Sequence, residues 1–170
     1  LIEKINYKEN QIEELQNNNI INSKKIEELN SMQKGLLTKS DSLLALNAPE
    51  HNNNVIANIA MLMAIDSTQG DYYSLLGQAF YQRWRFNPKS EKFMLEAIKN
   101  IDIAIEKKNI NIDYLALAYM TKSDIWLKKN DLSKASENIK KALQVKRLSP
   151  VTDRFKLITL MKLQKMEYKK

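Results

Sequence analysis

Apolar residues recur every three to four positions along most of the chain, and short polar stretches separate these runs. This period is typical of helices that bury one face. Only three Gly and three Pro occur, which is too few for a turn-rich β architecture. The pattern therefore predicts an all-α protein with a long N-terminal arm, followed by helices near residues 36–47, 53–66, 71–87, 93–108, 113–129, 133–146 and 150–168.

The N-terminal arm, residues 1–35, contains the sequence Ile-Glu-Glu-Leu twice, at 12–15 and at 26–29. The two copies are 14 residues apart, which equals two heptads and is typical of a coiled coil. The arm is therefore predicted to form a coiled coil that joins copies of the chain or continues an upstream stalk. The alternative is a long amphipathic helix that folds back on its own domain. The predicted oligomer contact consists of Ile5, Ile12, Leu15, Asn19, Ile26 and Leu29.

Two residues of the arm have special positions in this interpretation. Asn19 falls on the seam of the heptad pattern, where a buried Asn can fix register and partner number at a cost in stability. Gly35 is the first Gly of the chain, and it predicts that the arm ends or bends there.

A packing pattern occurs twice in the second half of the chain. Its first copy is Tyr73-x2-Leu76-Gly77-x2-Phe80, followed by Ala97-x3-Ile101-x2-Ala104. Its second copy is Tyr119-x2-Lys122-Ser123-x2-Trp126, followed by Ala135-x3-Ile139-x2-Ala142. The Gly, Ser and leading Ala residues are small enough to let two helices approach closely, while the aromatic residues fill the space between helices. The pattern thus predicts two helical pairs, 71–108 and 114–147.

These two pairs resemble tetratricopeptide (TPR) repeats over about residues 71–147. The resemblance implies an α-solenoid of antiparallel helix pairs at 36–170, with residues 150–168 as a C-terminal capping helix. The chain departs from the family pattern at Lys122, where Leu is usual. It also departs in period, because Gly77 and Ser123 are 46 residues apart and the family repeats about every 34. Most of the extra length lies between Phe80 and Ala97.

The resemblance further implies a concave surface, formed by the first helix of each pair, that binds a protein or peptide. Its mixture of polar and apolar side chains suits such a ligand better than a polyanion. The outward positions would be Ser74, Gln78, Tyr81, Gln82, Met120, Asp124, Leu127 and Lys128.

The segment 83–89 places two aromatic residues among three cations. Trp84, Arg85 and Phe86 are candidates for a binding hot spot, because Trp and Arg are enriched in such sites. The same residues could stack nucleobases beside phosphates. The alternative is that Trp84 and Phe86 continue the third helix and pack on their neighbours.

Charge is uneven: residues 83–170 hold 21 Lys or Arg against ten acids. This basic half could attract nucleic acid, but no dense Arg cluster is present, so solvated lysines on outer helix faces are the preferred interpretation. There is no Cys, and the single His51 lies in a polar linker, so no metal site, cofactor or catalytic group is predicted. No apolar stretch is long enough to span a membrane.

The sequence therefore predicts a cytoplasmic, non-catalytic interaction module that binds a protein or peptide and self-associates through its arm. A regulatory segment of a larger bacterial signalling or transcription protein is the alternative, since a chain that starts at Leu1 rather than Met suggests a fragment or a processed product. Nucleic-acid binding through 83–170 is less favoured.

Overall fold

The computed structural model describes residues 2–146 and 148–168, with side chains from Gln11 onward except at positions 49 and 151. Within these residues the chain is helical and contains no strand, which confirms the all-α prediction. A single 3-10 turn, Pro49–His51, separates the first two helices. The helices are α1 (Ile2–Ala45), α2 (Asn52–Ile65), α3 (Gly70–Phe86), α4 (Glu91–Glu106), α5 (Ile112–Lys128), α6 (Leu132–Gln144) and α7 (Pro150–Glu167).

The chain divides into two compact units, residues 1–36 and residues 37–170. This division lies next to Gly35, but helix α1 runs through this residue without interruption, so no helix end is observed there. A single Gly in a helix costs only about 1 kcal/mol relative to Ala, which the good helix formers around it offset. The helix ends instead before Asn47, whose φ of 51° lies in the left-handed region.

The first unit leaves its apolar side chains in solvent. Every residue from Gln11 to Met32 is exposed. Ile12 and Ile26, both on the predicted seam, are 55 % and 58 % exposed. The side chain of Ile5 lies outside the described residues.

The second unit is an array of helices that contact one another in chain order. Helix α3 packs mainly against α4, and α5 packs mainly against α6. Helices α2 and α7 flank these two pairs on α3 and on α5 and α6, respectively. In addition, α3 contacts α5 and α5 contacts α7, so the odd-numbered helices α3, α5 and α7 lie in one row.

Small residues allow the close contacts within each pair. A Cβ atom added at Gly77 would lie 2.6 Å from Cγ1 of Ile101 and 3.2 Å from the carbonyl oxygen of Ala97. In the second pair the hydroxyl of Ser123 donates a hydrogen bond of 2.9 Å to the carbonyl oxygen of Ala135. The helices thus meet at the small residues of the repeated pattern.

No helix among the described residues has the length and apolar character needed to cross a membrane.

Candidate binding groove

A groove with a volume of about 770 Å³ runs across the second unit. This volume lies within the range of about 300–1,000 Å³ that is typical of ligand sites. The end of α1 and the odd-numbered helices α3, α5 and α7 form its walls. Each of the last three contributes residues at helical spacing, and they include Gln78, Tyr81, Gln82 and Arg85 from α3, Leu117, Met120, Thr121 and Asp124 from α5, and Phe155, Ile158, Thr159 and Lys162 from α7.

Asp124 joins the three helices of this row. Its carboxylate accepts a hydrogen bond from the hydroxyl of Tyr81 and forms an ion pair of 3.0 Å with Nζ of Lys162. Burial, followed by the neighbouring charge of Asp124, raises the pKa of Tyr81, which therefore remains a hydrogen-bond donor at neutral pH. Tyr81 of α3 and Lys162 of α7 thus contact the same carboxylate of α5, which links the three helices that form the wall.

The opposite end of the groove is acidic. Asp41 of α1 accepts a hydrogen bond from the hydroxyl of Tyr114, and Asp113 accepts one of 2.9 Å from the backbone N–H of Ser149. Behind them, Asp71 accepts one of 2.7 Å from the backbone N–H of Asn111. Among the residues that the structure describes, no Lys or Arg forms an ion pair with any of these three carboxylates.

Burial raises the pKa of Asp41; the Tyr114 hydrogen bond opposes this effect, and the charge of Asp71 adds to it. Burial also raises the pKa of Asp71. The ionised form of Asp41 is therefore less stable in the folded chain than in the unfolded chain. Its negative charge costs stability at neutral pH, and this cost falls as the pH falls through the raised pKa.

Replacing this carboxyl by an amide is accordingly expected to stabilise the fold at pH 7. The Asp41→Asn variant keeps an acceptor for Tyr114 but removes the buried charge near Asp71. Urea unfolding should give a higher free energy of unfolding for the variant than for the wild type at pH 7. The difference should be smaller at pH 4. Equal free energies of unfolding at pH 7, or a difference that increases on acidification, would contradict a raised pKa of Asp41.

Two apolar side chains of α7 keep the middle of the groove partly apolar. Phe155 and Ile158 line it and remain 53 % and 41 % exposed. A second, smaller hollow of about 340 Å³ shares Arg85, Asp124 and Lys162 with the groove. It adds Leu127, Lys128, Lys165 and Met166, so it is mainly basic. The groove therefore has an acidic end, a partly apolar middle and a basic end.

Most of the residues predicted to bind a partner lie at these two hollows. Gln78, Tyr81, Gln82, Arg85, Met120 and Asp124 line the groove, and Leu127 and Lys128 line the smaller hollow. Phe86 is exposed but lines neither of them.

Two predicted positions are buried and line neither hollow. Ser74 is fully buried, and its hydroxyl donates a 2.9 Å hydrogen bond to the carbonyl oxygen of Tyr114, since α5 covers this part of α3. Trp84 is also buried, and its indole N–H donates a 3.2 Å hydrogen bond to the carbonyl oxygen of Pro88. The extra length after Phe80 thus continues α3 to Phe86, as the alternative interpretation of this segment expected.

Sequence reasoning missed the contributions of α1 and α7 to the groove. Neither helix carries the repeated packing pattern, so nothing in the pattern indicated which of their faces would turn towards α3 and α5. The available signal was the spacing of Phe155, Ile158 and Lys162, which repeats the spacing of Gln78, Tyr81 and Arg85.

Several lysines of the basic half have partners of their own. Lys134 pairs with Asp131 and Lys141 with Glu137 on α6, and Lys129 pairs with Glu91. Lys134 also lies 4.2 Å from the centre of the Trp126 ring. These contacts support solvated lysines with local partners as the preferred interpretation of the basic half.

Within the described part of the chain, no cluster of His, Asp and Glu could hold a metal ion. Comparison with known proteins gives no matching family model, no similar curated protein and no similar solved structure.

Proposed function

We propose that this chain is a non-catalytic interaction module, which binds an extended segment of a partner protein in the groove and self-associates through its arm. The observation that carries the proposal is the groove itself. Its size, its partly apolar floor and its polar ends match sites in which a few polar groups orient a ligand while apolar groups supply affinity.

The row formed by α3, α5 and α7 supports a TPR-like solenoid as the architecture behind this function. In such an array one helix of each pair faces the concave side, and extended concave surfaces are what repeat proteins use to bind partners. The groove residues of α3, α5 and α7 belong to those helices. The close contacts of Gly77 with α4 and of Ser123 with α6 support the same repeat register in both pairs.

The exposed arm supports the second half of the proposal. Ile12, Leu15, Ile26 and Leu29 recur at heptad positions and remain in solvent within the single chain. Burying such side chains in a seam with a second copy is favourable, at about 25 cal/mol per Å² of apolar surface removed from water.

Selection of random 12-residue peptides against the immobilised full chain tests the groove. Selected peptides are expected to lose about tenfold or more in affinity for a Phe155→Ser/Ile158→Ser variant, because apolar anchors dominate binding energy. The matched control is Leu157→Ser/Met161→Ser, which changes two exposed residues of the same helix that do not line the groove. Affinity can be measured by fluorescence anisotropy with labelled peptides.

Peptides that tolerate the control but not the groove variant support the proposal. If both variants bind equally well, or if selection yields no peptide that depends on the groove, the proposed binding site is wrong.

A further inference from the structure

Among the described residues, no Lys or Arg forms an ion pair at the acidic end of the groove. The chain carries a formal charge of +7, and Asp124 in the same groove is paired with Lys162. Asp41 and Asp113 line the groove as well, yet no described Lys or Arg pairs with either. Partly buried carboxylates without a cation are costly, and such groups are enriched at functional sites.

A second observation points independently to a missing donor. Gln82 lines the same groove, is only 8 % exposed, and donates from Nε2 to the carbonyl oxygen of Leu44 at 2.8 Å. Its other amide atom, Oε1, is buried and has no partner among the described residues. Buried acceptors in native proteins are nearly always paired with a protein group or an ordered water, so a donor from a bound molecule could complete this oxygen.

The lining also suits the body of a cationic side chain. Tyr114 and Phe155 stand in the groove with Asp41 and Asp113. Aromatic rings attract ammonium and guanidinium groups, and long basic side chains bury their methylene stems along apolar surface. The described residues contain no group of three or more His, Asp or Glu that could hold a metal ion, which favours an organic cation.

We infer that the acidic end, between Asp41 and Asp113, receives a lysine or arginine side chain of the bound partner segment. This inference rests on the proposed peptide-binding function and names the chemistry of its ligand. The carboxylates accept hydrogen bonds from the cationic head, the aromatic rings cover its stem, and Oε1 of Gln82 accepts from an N–H group of the segment after a small movement. The basic end, at Arg85, Lys162 and Lys165, disfavours a second cation there and thereby sets the direction of the segment.

The test uses the groove-dependent peptides from the selection described above. They are expected to share a Lys or Arg at one position. Binding should weaken by about tenfold when Asp41→Asn and Asp113→Asn are combined, and by a similar factor when that basic residue of the peptide is changed to Gln. Combining both changes should cost little more than either alone, because they remove the same interaction.

Two controls keep the result specific. Glu106→Gln makes the same kind of charge change at an exposed residue outside the groove and should leave the affinity unchanged. The Asp41→Asn variant should bind more weakly although its fold is at least as stable as the wild type, an outcome that a merely structural role for Asp41 would not produce.

Groove-dependent peptides without a shared cation, or peptides that bind the double Asn variant as well as the wild type, would overturn the inference and leave the proposed function standing. Additive losses in the double-mutant cycle would also overturn it, since the carboxylates and the cation would then act separately. Failure to select any groove-dependent peptide would overturn both.

Discussion

Replacing Gly77 with valine is expected to destabilise the fold by about 3 kcal/mol, the upper end of the usual cost of overpacking. A Cβ at this position would lie 2.6 Å from Cγ1 of Ile101 and 3.3 Å from the backbone nitrogen of the same residue. Ile101 is fully buried, and the carbonyl oxygen of Ala97 closes the other side. Relief would require α3 and α4 to move apart along their whole contact.

Gly35 provides the matched control. It also lies inside a helix, but a Cβ there would meet nothing within 4 Å. Valine is a slightly better helix former than glycine, so Gly35→Val should be neutral or weakly stabilising. Urea unfolding followed by far-UV circular dichroism measures both variants. Equal midpoints for Gly77→Val and wild type would show that the two helices do not meet as described. Equal losses in both variants would show that the close contact at Gly77 is not the cause.

The boundaries of the helices in the second unit were predictable because local chemistry sets them. Ser149 and Pro150 start α7, with the hydroxyl of Ser149 accepting from the backbone N–H of Thr152 at 3.4 Å. Asn87-Pro88 ends α3, because the residue before Pro disfavours the α region. At Gly35 the helix continues, because a single Gly costs only about 1 kcal/mol relative to Ala and its neighbours are good helix formers.

The face that α3 presents to the groove was predictable only in part. The repeated pattern identifies which side of α3 packs on α4, and the opposite side therefore includes Gln78, Tyr81 and Gln82. Ser74 belongs to the same side, one turn earlier, yet α5 covers it. How far a neighbouring helix extends along a face depends on tertiary packing, which the pattern within one helix does not contain.

The acidic end of the groove could not be predicted from the sequence, because it too depends on tertiary packing. Asp41 and Tyr114 are 73 residues apart, and their contact forms only because α1 and α5 meet in the folded unit. In the sequence, Asp41 is an ordinary polar residue in the predicted helix at 36–47. Its partial burial beside Tyr114 becomes visible only once the residues around it are known.

Self-association through the arm is expected to disappear when Ile12 and Ile26 are both changed to serine. The two residues occupy the same heptad position, two repeats apart, and are about equally exposed in the single chain. Each isoleucine that becomes buried contributes about 2 kcal/mol, and a dimer would lose four of them, which lowers the association constant by several orders of magnitude. Light scattering coupled to size exclusion should therefore give a single-chain mass for this variant and a multiple of it for the wild type.

The adjacent pair Ile20 and Ile21 makes the comparison specific. Both are exposed to a similar degree, 56 % and 49 %, but they fall outside the predicted seam. Ile20→Ser/Ile21→Ser changes apolar surface and helix propensity as much as the seam variant does, so it should keep the wild-type mass. A loss of association in both variants would indicate nonspecific hydrophobic contact. A wild type with single-chain mass at every concentration would overturn the proposed self-association.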